Sequence, residues 1–409
     1  METVFGRVVF RRLGYRAAGL DSRFPLDAAL NLPANFYSPE LKRQVVSTAI
    51  RQSFGATVDS VDQVTAGHVP KRQAEALMVE ASQDVAAFYA QQARVNEDSR
   101  DLLVLSMDGK GVVLHTEDLR PATREAAENK VHKLDTRLSP GEKRDCKRMA
   151  TVAAVYGLAR YVRAANDVLT EAGTGTPVKR PKPQNKRVWA SLERESKEVI
   201  DEAFQEAQRR DPEHQRHWVV LVDGGVSQLK QVRACGEAHG VQITIVLDFI
   251  HVQEYLWKAA HALHPGKSEE AEAWVKERSD GLLGGYAADM MATDLRVAAR
   301  SLKGSPAEAV ENCARYLSNH RDYLHYQRYL QEGLPIATGV IEGACRYLVK
   351  DRLDITGARW RLKGAEAMLA LRSVMASGDM DAYWAYHQAN SFKRTHEARY
   401  QGTPWRQAA

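Results

Sequence analysis

Residues 102–115 read LLVLSMDGKGVVLH. Leucine and valine climb to Asp108 and resume after Gly109, Lys110 and Gly111 in Val112, Val113 and Leu114. Such an apolar run reads as a buried strand carrying one carboxylate at or near its end. A carboxylate is costly to bury unless it meets something positive. The same letters also fit a hairpin closed by an Asp-Gly turn. This stretch alone leaves both readings open, but acidic residues recur in comparable settings twice further along the chain.

The 409 residues leave room for two or three domains, and 44% hydrophobic with 27% charged residues is ordinary for a globular protein. No apolar run has membrane-spanning length, and METVFGRVVFRR at the start lacks the apolar core of a signal peptide. Cys146, Cys235, Cys313 and Cys345 are scattered singly, so neither a zinc ribbon nor a disulfide framework is expected. A reduced, cytoplasmic setting follows as the default. The net charge of +5 is a mild excess. It is concentrated in residues 173–187, GTGTPVKRPKPQNKR, which reads either as a solvated linker or as an arm tracking phosphates.

In chain order, Ser38 and Pro39 open a helix with Val45, Val46, Ala49 and Ile50 on one face. A short helix over 58–64 follows, then a third from Pro70 to about Ala90 that begins with Lys71 and Arg72. The set fits a helix-turn-helix or a plain helical hairpin. Residues 116–147 read as charged helix and loop outside the core, and 149–158 as a second strand. Residues 188–210 are expected to be a helix, and HWVVLVDGG (217–225) a strand ending in Asp223. A helix over 226–239 and a strand over 241–249 complete a parallel unit, whose ligand sites lie at carboxyl ends of strands. Residues 251–333 are helical throughout, and 338–352 form a helix presenting Glu342 beside Arg346 and near Lys350. A helix over 364–377 precedes a polar, aromatic tail.

Three carboxylates stand out: Asp108 on an early strand, Asp223 ending a later one, and Glu342 on a helix after the helical stretch. That order resembles ribonuclease H-like polynucleotidyl transferases. Two hard cations about 3.5–4 Å apart, held by oxygen ligands, activate an attacking hydroxyl and stabilise a leaving one. Magnesium keeps several waters, so three carboxylates suffice.

The chain also resembles bacterial insertion-sequence transposases of the ISKra class. The matching blocks are MDGKGV (107–112), VLVDGGVSQLK (220–230), LDFIHVQEYLWKAA (247–260) and LPIATGVIEGACRYLVKDRLDITGARWRLKGAEAMLALRS (334–373), with FPLDAALNLPANFYSPELKRQV (24–45) near the start. The resemblance implies that Asp108, Asp223 and Glu342 are the catalytic ligands of two Mg²⁺, with Mn²⁺ tolerated. It makes Asp248 and His251 a DxxH motif and implies dimers or higher assemblies.

The implied fold is α/β: a ribonuclease H-like mixed sheet with flanking helices, interrupted by an all-helical insertion and preceded by a helix-turn-helix-like region. The expected layout is an N-terminal DNA-binding region over 1–95, the catalytic core over 96–250 and 336–380, the insertion over 251–335 and a tail over 381–409. The expected function is a DNA transposase, acting on element ends and target DNA, soluble and nucleoid-associated. Rivals are a junction or repair nuclease on the same fold, and a DNA-binding regulator without catalysis.

Asp248 also ends a strand and competes with Asp223 for the second position. The pair Gly224–Gly225 leaves room for close backbone or phosphate approach, which favours Asp223. His251, one turn on, is expected to pair with Asp248. Trp360, between Arg359 and Arg361, reads as a base-stacking residue or a core tryptophan. Lys110, Arg346, Lys350, Arg352 and Arg359, with Lys71 and Arg72, are candidate phosphate contacts or solvated charges. Nucleophilic catalysis and a phosphate loop find no motif.

Overall fold

The structure, a computed structural model, describes residues 1–16, 19, 22, 24–92, 98, 100–129, 146–169, 180–266, 268–355 and 357–397. The middle of the charged stretch (130–145), the first half of the basic linker and the end of the tail (398–409) lie outside them.

A small hairpin, β1 (Glu2–Thr3) and β2 (Gly6–Arg7), starts the chain. The main sheet has five strands: β3 (Leu102–Val113), β4 (Lys147–Leu158), β5 (Gln184–Ser191), β6 (Trp218–Val222) and β7 (Ile243–Leu247). Their spatial order is β5-β4-β3-β6-β7. β4 runs antiparallel to both its neighbours, while β3, β6 and β7 are mutually parallel. The sheet is therefore mixed, with β3 at its centre. Leu102 to Met107 is fully buried, as a strand covered on both faces must be, and its apolar run is continuous for that reason.

β3 does not turn at Asp108. Asp108 pairs with Val152, and Gly109, Lys110 and Gly111 continue the ladder against Thr151, Ala150 and Met149. The hairpin reading is thereby excluded. The parallel ladder to β6 stops earlier, at Ser106↔Leu221, so β3 outruns its parallel neighbour and Asp108 lies past the last rung.

Residues 188–210 are not one helix. Gln184–Ser191 is the edge strand β5, paired with β4, and the helix begins at Ser196. Glu195 and Glu198 form a reciprocal capping box at that start, without the usual Ser or Thr. The end of the basic linker, from Gln184 on, is thus strand. Arg187 is buried at 3% exposure, bound to Glu202 and Glu206 of the following helix and stacked over Tyr89 and Trp189.

The parallel unit forms as expected, with the helix Val226–Ala238 joining β6 to β7. Five helices follow: Phe249–Leu263, Ser268–Leu283, Ala288–Ala299, Ser305–His320 and Tyr326–Gln331. Glu342 sits on Gly339–Ala344, which runs on through a π-helical turn, Cys345–Lys350, into Asp351–Leu353. These residues pack across β3 and β4.

The N-terminal helices are Pro39–Ala49, Phe54–Val64 and Lys71–Ser82, with Ser38 and Ser53 capping the first two through their hydroxyls. The third ends at Ser82 instead of running to Ala90. Asp84 intervenes, and Val85–Gln91 is a separate helix. Lys71–Ser82 packs on Leu362–Ser377, and Val46, Ala49, Ile50, Met78 and Ala81 belong to the same apolar core as the sheet. The residues expected to be a tail instead begin with a helix, Met380–Phe392, whose Tyr383 and Trp384 are buried. All four cysteines are free thiols, and no helix among the described residues is long and apolar enough to cross a membrane.

Candidate active site

Three strands deliver acidic residues to one edge of the sheet. Asp108 lies on β3 beyond its last rung with β6. Asp223 is the first residue after β6, and Asp248 the first after β7. The Glu342 helix crosses the same region and is tied to it directly: Cys345 Sγ donates to Asp108 Oδ2 at 3.1 Å. The other Asp108 oxygen accepts from the backbone N–H of Gly109 at 2.5 Å.

The charges act on one another. Asp223, half-buried, has its carboxyl pushed up from the usual 3.8 to about 7, first by burial and then by Asp108, Asp248, Glu342 and Glu254. Glu342, exposed at the rim, is also raised, by burial and then by Asp248, Asp108 and Glu254. Each charged neighbour named for either residue is another carboxylate. The charge of Lys110 reaches Cys345. Burial raises the Cys345 thiol, and Asp108 raises it further, so it remains a protonated donor.

An all-oxygen, acidic donor set suits hard divalent cations such as Mg²⁺ or Mn²⁺. The carboxylates share an edge without closing into a coordination cluster. Among the described residues, no group of three His, Cys, Asp or Glu side chains is drawn together tightly enough to hold one ion.

Asp248 has a different role from Asp223. It is 2% exposed. One oxygen caps the helix Phe249–Leu263 by accepting from Ile250 N at 2.9 Å, and the other accepts from the Thr338 hydroxyl. Its partner is therefore Thr338 and not His251. His251 lies 3.6 Å from Glu254 and meets the rings of Tyr255 and Tyr316 edge-on.

The candidate DNA contacts divide. Arg346, Lys350 and Arg359 are exposed, as are Lys71 and Arg72 at the start of their helix, and Lys110 is half-buried on β3. Arg346 approaches Asp351 at 3.8 Å. Arg352 and Trp360 are core residues instead. Arg352 is 3% exposed, donates to the Ala49 carbonyl at 3.0 Å and lies over the rings of Phe54 and Trp360. Burial, then the nearby Arg372, lowers its guanidinium from 12.5 to about 10. Trp360 donates its indole N–H to Leu353 O at 3.2 Å and is bridged to β3 through its backbone.

Several residues of this site escape a reading by motif. Glu254 and Cys345 are within one turn of residues that were noticed, His251 and Glu342, and helical spacing was their signal. Tyr316 and His320, which bind the backbone at Asp223 and Gly224, have no local signal at all. No protein-family model matches the chain, and no curated protein is significantly similar to it.

Proposed function

We propose that this chain is a DDE transposase with a ribonuclease H-like core. It binds the ends of its element, hydrolyses a phosphodiester to free a 3′ hydroxyl, and directs that hydroxyl at a phosphate of target DNA. The observation that carries this reading is the assembly of Asp108, Asp223 and Glu342, far apart in the chain, at one edge of a mixed sheet. Their order is strand, strand, helix, with a run of helices between the second and third.

Asp108 is borne on β3, and Asp223 directly follows the adjacent parallel strand β6. Glu342 comes from a helix packed across those strands. These three would hold two Mg²⁺ ions, which supply activation of the attacking oxygen and neutralisation of charge on the leaving one. Asp108 would exchange its bond from Cys345 for this role. Arg346 and Lys350, exposed on the Glu342 helix, would neutralise flanking phosphates. The reaction needs positioning and charge stabilisation, and no covalent enzyme intermediate.

The experiment is Asp108→Asn, assayed on duplexes carrying the element ends with Mg²⁺ or Mn²⁺. Cleavage and strand transfer should be abolished while end binding is kept within about twofold, because the substitution alters no phosphate contact. Equal loss of binding and cleavage would reject a ligand role. Cleavage by the unaltered chain without any joining would favour the nuclease alternative. Mg²⁺-dependent cleavage that survives all three substitutions would reject the site.

A further inference from the structure

The helical segment between β7 and the Glu342 helix reaches back onto the end of β6. Tyr316 Oη donates to the Asp223 carbonyl at 3.0 Å, and His320 donates through Nε2 to the Gly224 carbonyl at 2.8 Å. The two residues are one turn apart near the end of Ser305–His320, and both are buried. Their bonds grip the two peptide links that flank Gly224.

The sheet holds the Val222 side of Asp223, where the Val222 carbonyl accepts from Asp248 N at 3.0 Å, and the two side chains hold the other side. The ladder from β3 ends at Leu221 and that from β7 at Val222, so Asp223 lies past the last rung on both sides. Gly224 has φ +91°, and a Cβ there would come within 3.2 Å of Tyr316 Oη and 3.3 Å of His320 Nε2. The close approach of these two side chains therefore needs glycine.

The grip is itself braced. The Tyr316 ring stacks on Tyr255 with centroids 4.0 Å apart. The other His320 ring nitrogen, Nδ1, lies 2.7 Å from the Tyr316 carbonyl. A neutral imidazole makes one of its two bonds to carbonyls at a time, and the imidazolium makes both.

We propose that Tyr316 and His320 are positioning residues for the cation site, holding Asp223 toward Asp108 and Glu342 and coupling the helical segment to that site. This rests on the reading of Asp223 as a metal ligand. Without the two bonds, the backbone after Asp223 loses both side-chain partners, and its carboxylate is held less firmly toward the others.

The test compares Tyr316→Phe, His320→Ala and His320→Gln with Asp223→Asn and the unaltered chain. Tyr316→Phe keeps the ring stack and deletes one bond; glutamine places an amide N–H where Nε2 stands. Two quantities are measured: Mn²⁺ affinity by electron paramagnetic resonance, and hydrogen exchange of residues 223–226. Tyr316→Phe and His320→Ala should weaken Mn²⁺ binding about tenfold, the scale for groups that orient a ligand. They should speed exchange at 223–226 and leave β3 and β6 protected. His320→Gln should recover most of the affinity.

If Asp223→Asn loses Mn²⁺ while both deletions bind like the unaltered chain, the positioning role is wrong and the ligand role stands. If Asp223→Asn binds Mn²⁺ as tightly as the unaltered chain, the ligand role fails and this proposal falls with it. Faster exchange throughout the sheet would mean a general structural role and also overturn it. Should His320→Ala fail to fold, Tyr316→Phe decides alone.

Discussion

Replacing Asp223 by asparagine should make the metal-free protein more stable above neutral pH while removing its proposed chemistry. The folded carboxyl sits at about 7 against the usual 3.8, raised by burial first and by Asp108, Asp248, Glu342 and Glu254 after it. It therefore holds its proton more tightly in the folded chain than in the unfolded one, and ionisation opposes folding. The penalty is absent below about pH 3.8, grows as pH rises, and is complete above about pH 7. At 1.36 kcal/mol per pH unit its ceiling is ~4 kcal/mol. Asp223 is only half-buried, so solvent screens much of this, and about 1–2 kcal/mol is the expected gain. Thermal unfolding in EDTA should show Asp223→Asn melting about 1–2 °C above the unaltered chain at pH 8. At pH 5 the gain should fall below about half of that, since the folded carboxyl is then protonated. Adding Mg²⁺ or Mn²⁺ should stabilise the unaltered chain and leave the variant where it was. A variant no more stable at pH 8, or equally more stable at both pH values, would refute the claim that uncompensated acidity is concentrated at this residue.

Arg352→Ala should lower stability by about 2–4 kcal/mol in denaturant unfolding, because it leaves the Ala49 carbonyl unpaired and a cavity between Phe54 and Trp360. Its effect on DNA binding should vanish once the folded fraction is accounted for. Glu206→Ala should cost about 3 kcal/mol by the same measurement, since Glu206 is 1% exposed and bonded to Arg187, Arg209 and Arg210, and Arg187 is itself buried. Arg346→Ala and Lys350→Ala, both at exposed positions, should leave stability within about 0.5 kcal/mol. Each should weaken DNA binding at low salt and lower the salt slope by about one. An unchanged slope would remove that residue from the phosphate contacts.

How far the chain could be read from its letters depended on where each residue's partners lie. β3 was legible because a strand buried on both faces must be apolar without interruption, and β6 for the same reason; β7, an edge strand, was legible from its buried end Ile245–Leu247. β5 was not, because it is an edge strand that opens with Gln184, Asn185 and Lys186, and its buried half, Val188 to Ser191, merges with the helix after it. Asp223 and Glu342 were singled out by their place at the end of a strand and on a helix. The pairing of Asp248 was misread because its partner, Thr338, is 90 residues away, whereas His251 is close in sequence. Arg352 looked like a surface residue beside Asp351, and Trp360, between Arg359 and Arg361, was open between a stacking and a core role. Contacts with Ala49 and Phe54, from the N-terminal helices, bury them.

The same chain contains a buried acid handled in the opposite way, and the contrast bears on what the β6 edge is for. Burial pushes Asp84 up, but hydrogen bonds from Arg394 and His387 outweigh it and hold the carboxyl below its usual value. Glu206 is likewise surrounded by three arginines. At these two positions the sequence places cations on acids. At the ends of β3 and β6 it places acids beside acids, with Cys345 and the Gly109 backbone as the donors to Asp108. Such an arrangement opposes folding at neutral pH, and under the proposed function a divalent cation would relieve it where a fixed arginine would not, since a cation would keep coordination sites for a phosphate oxygen.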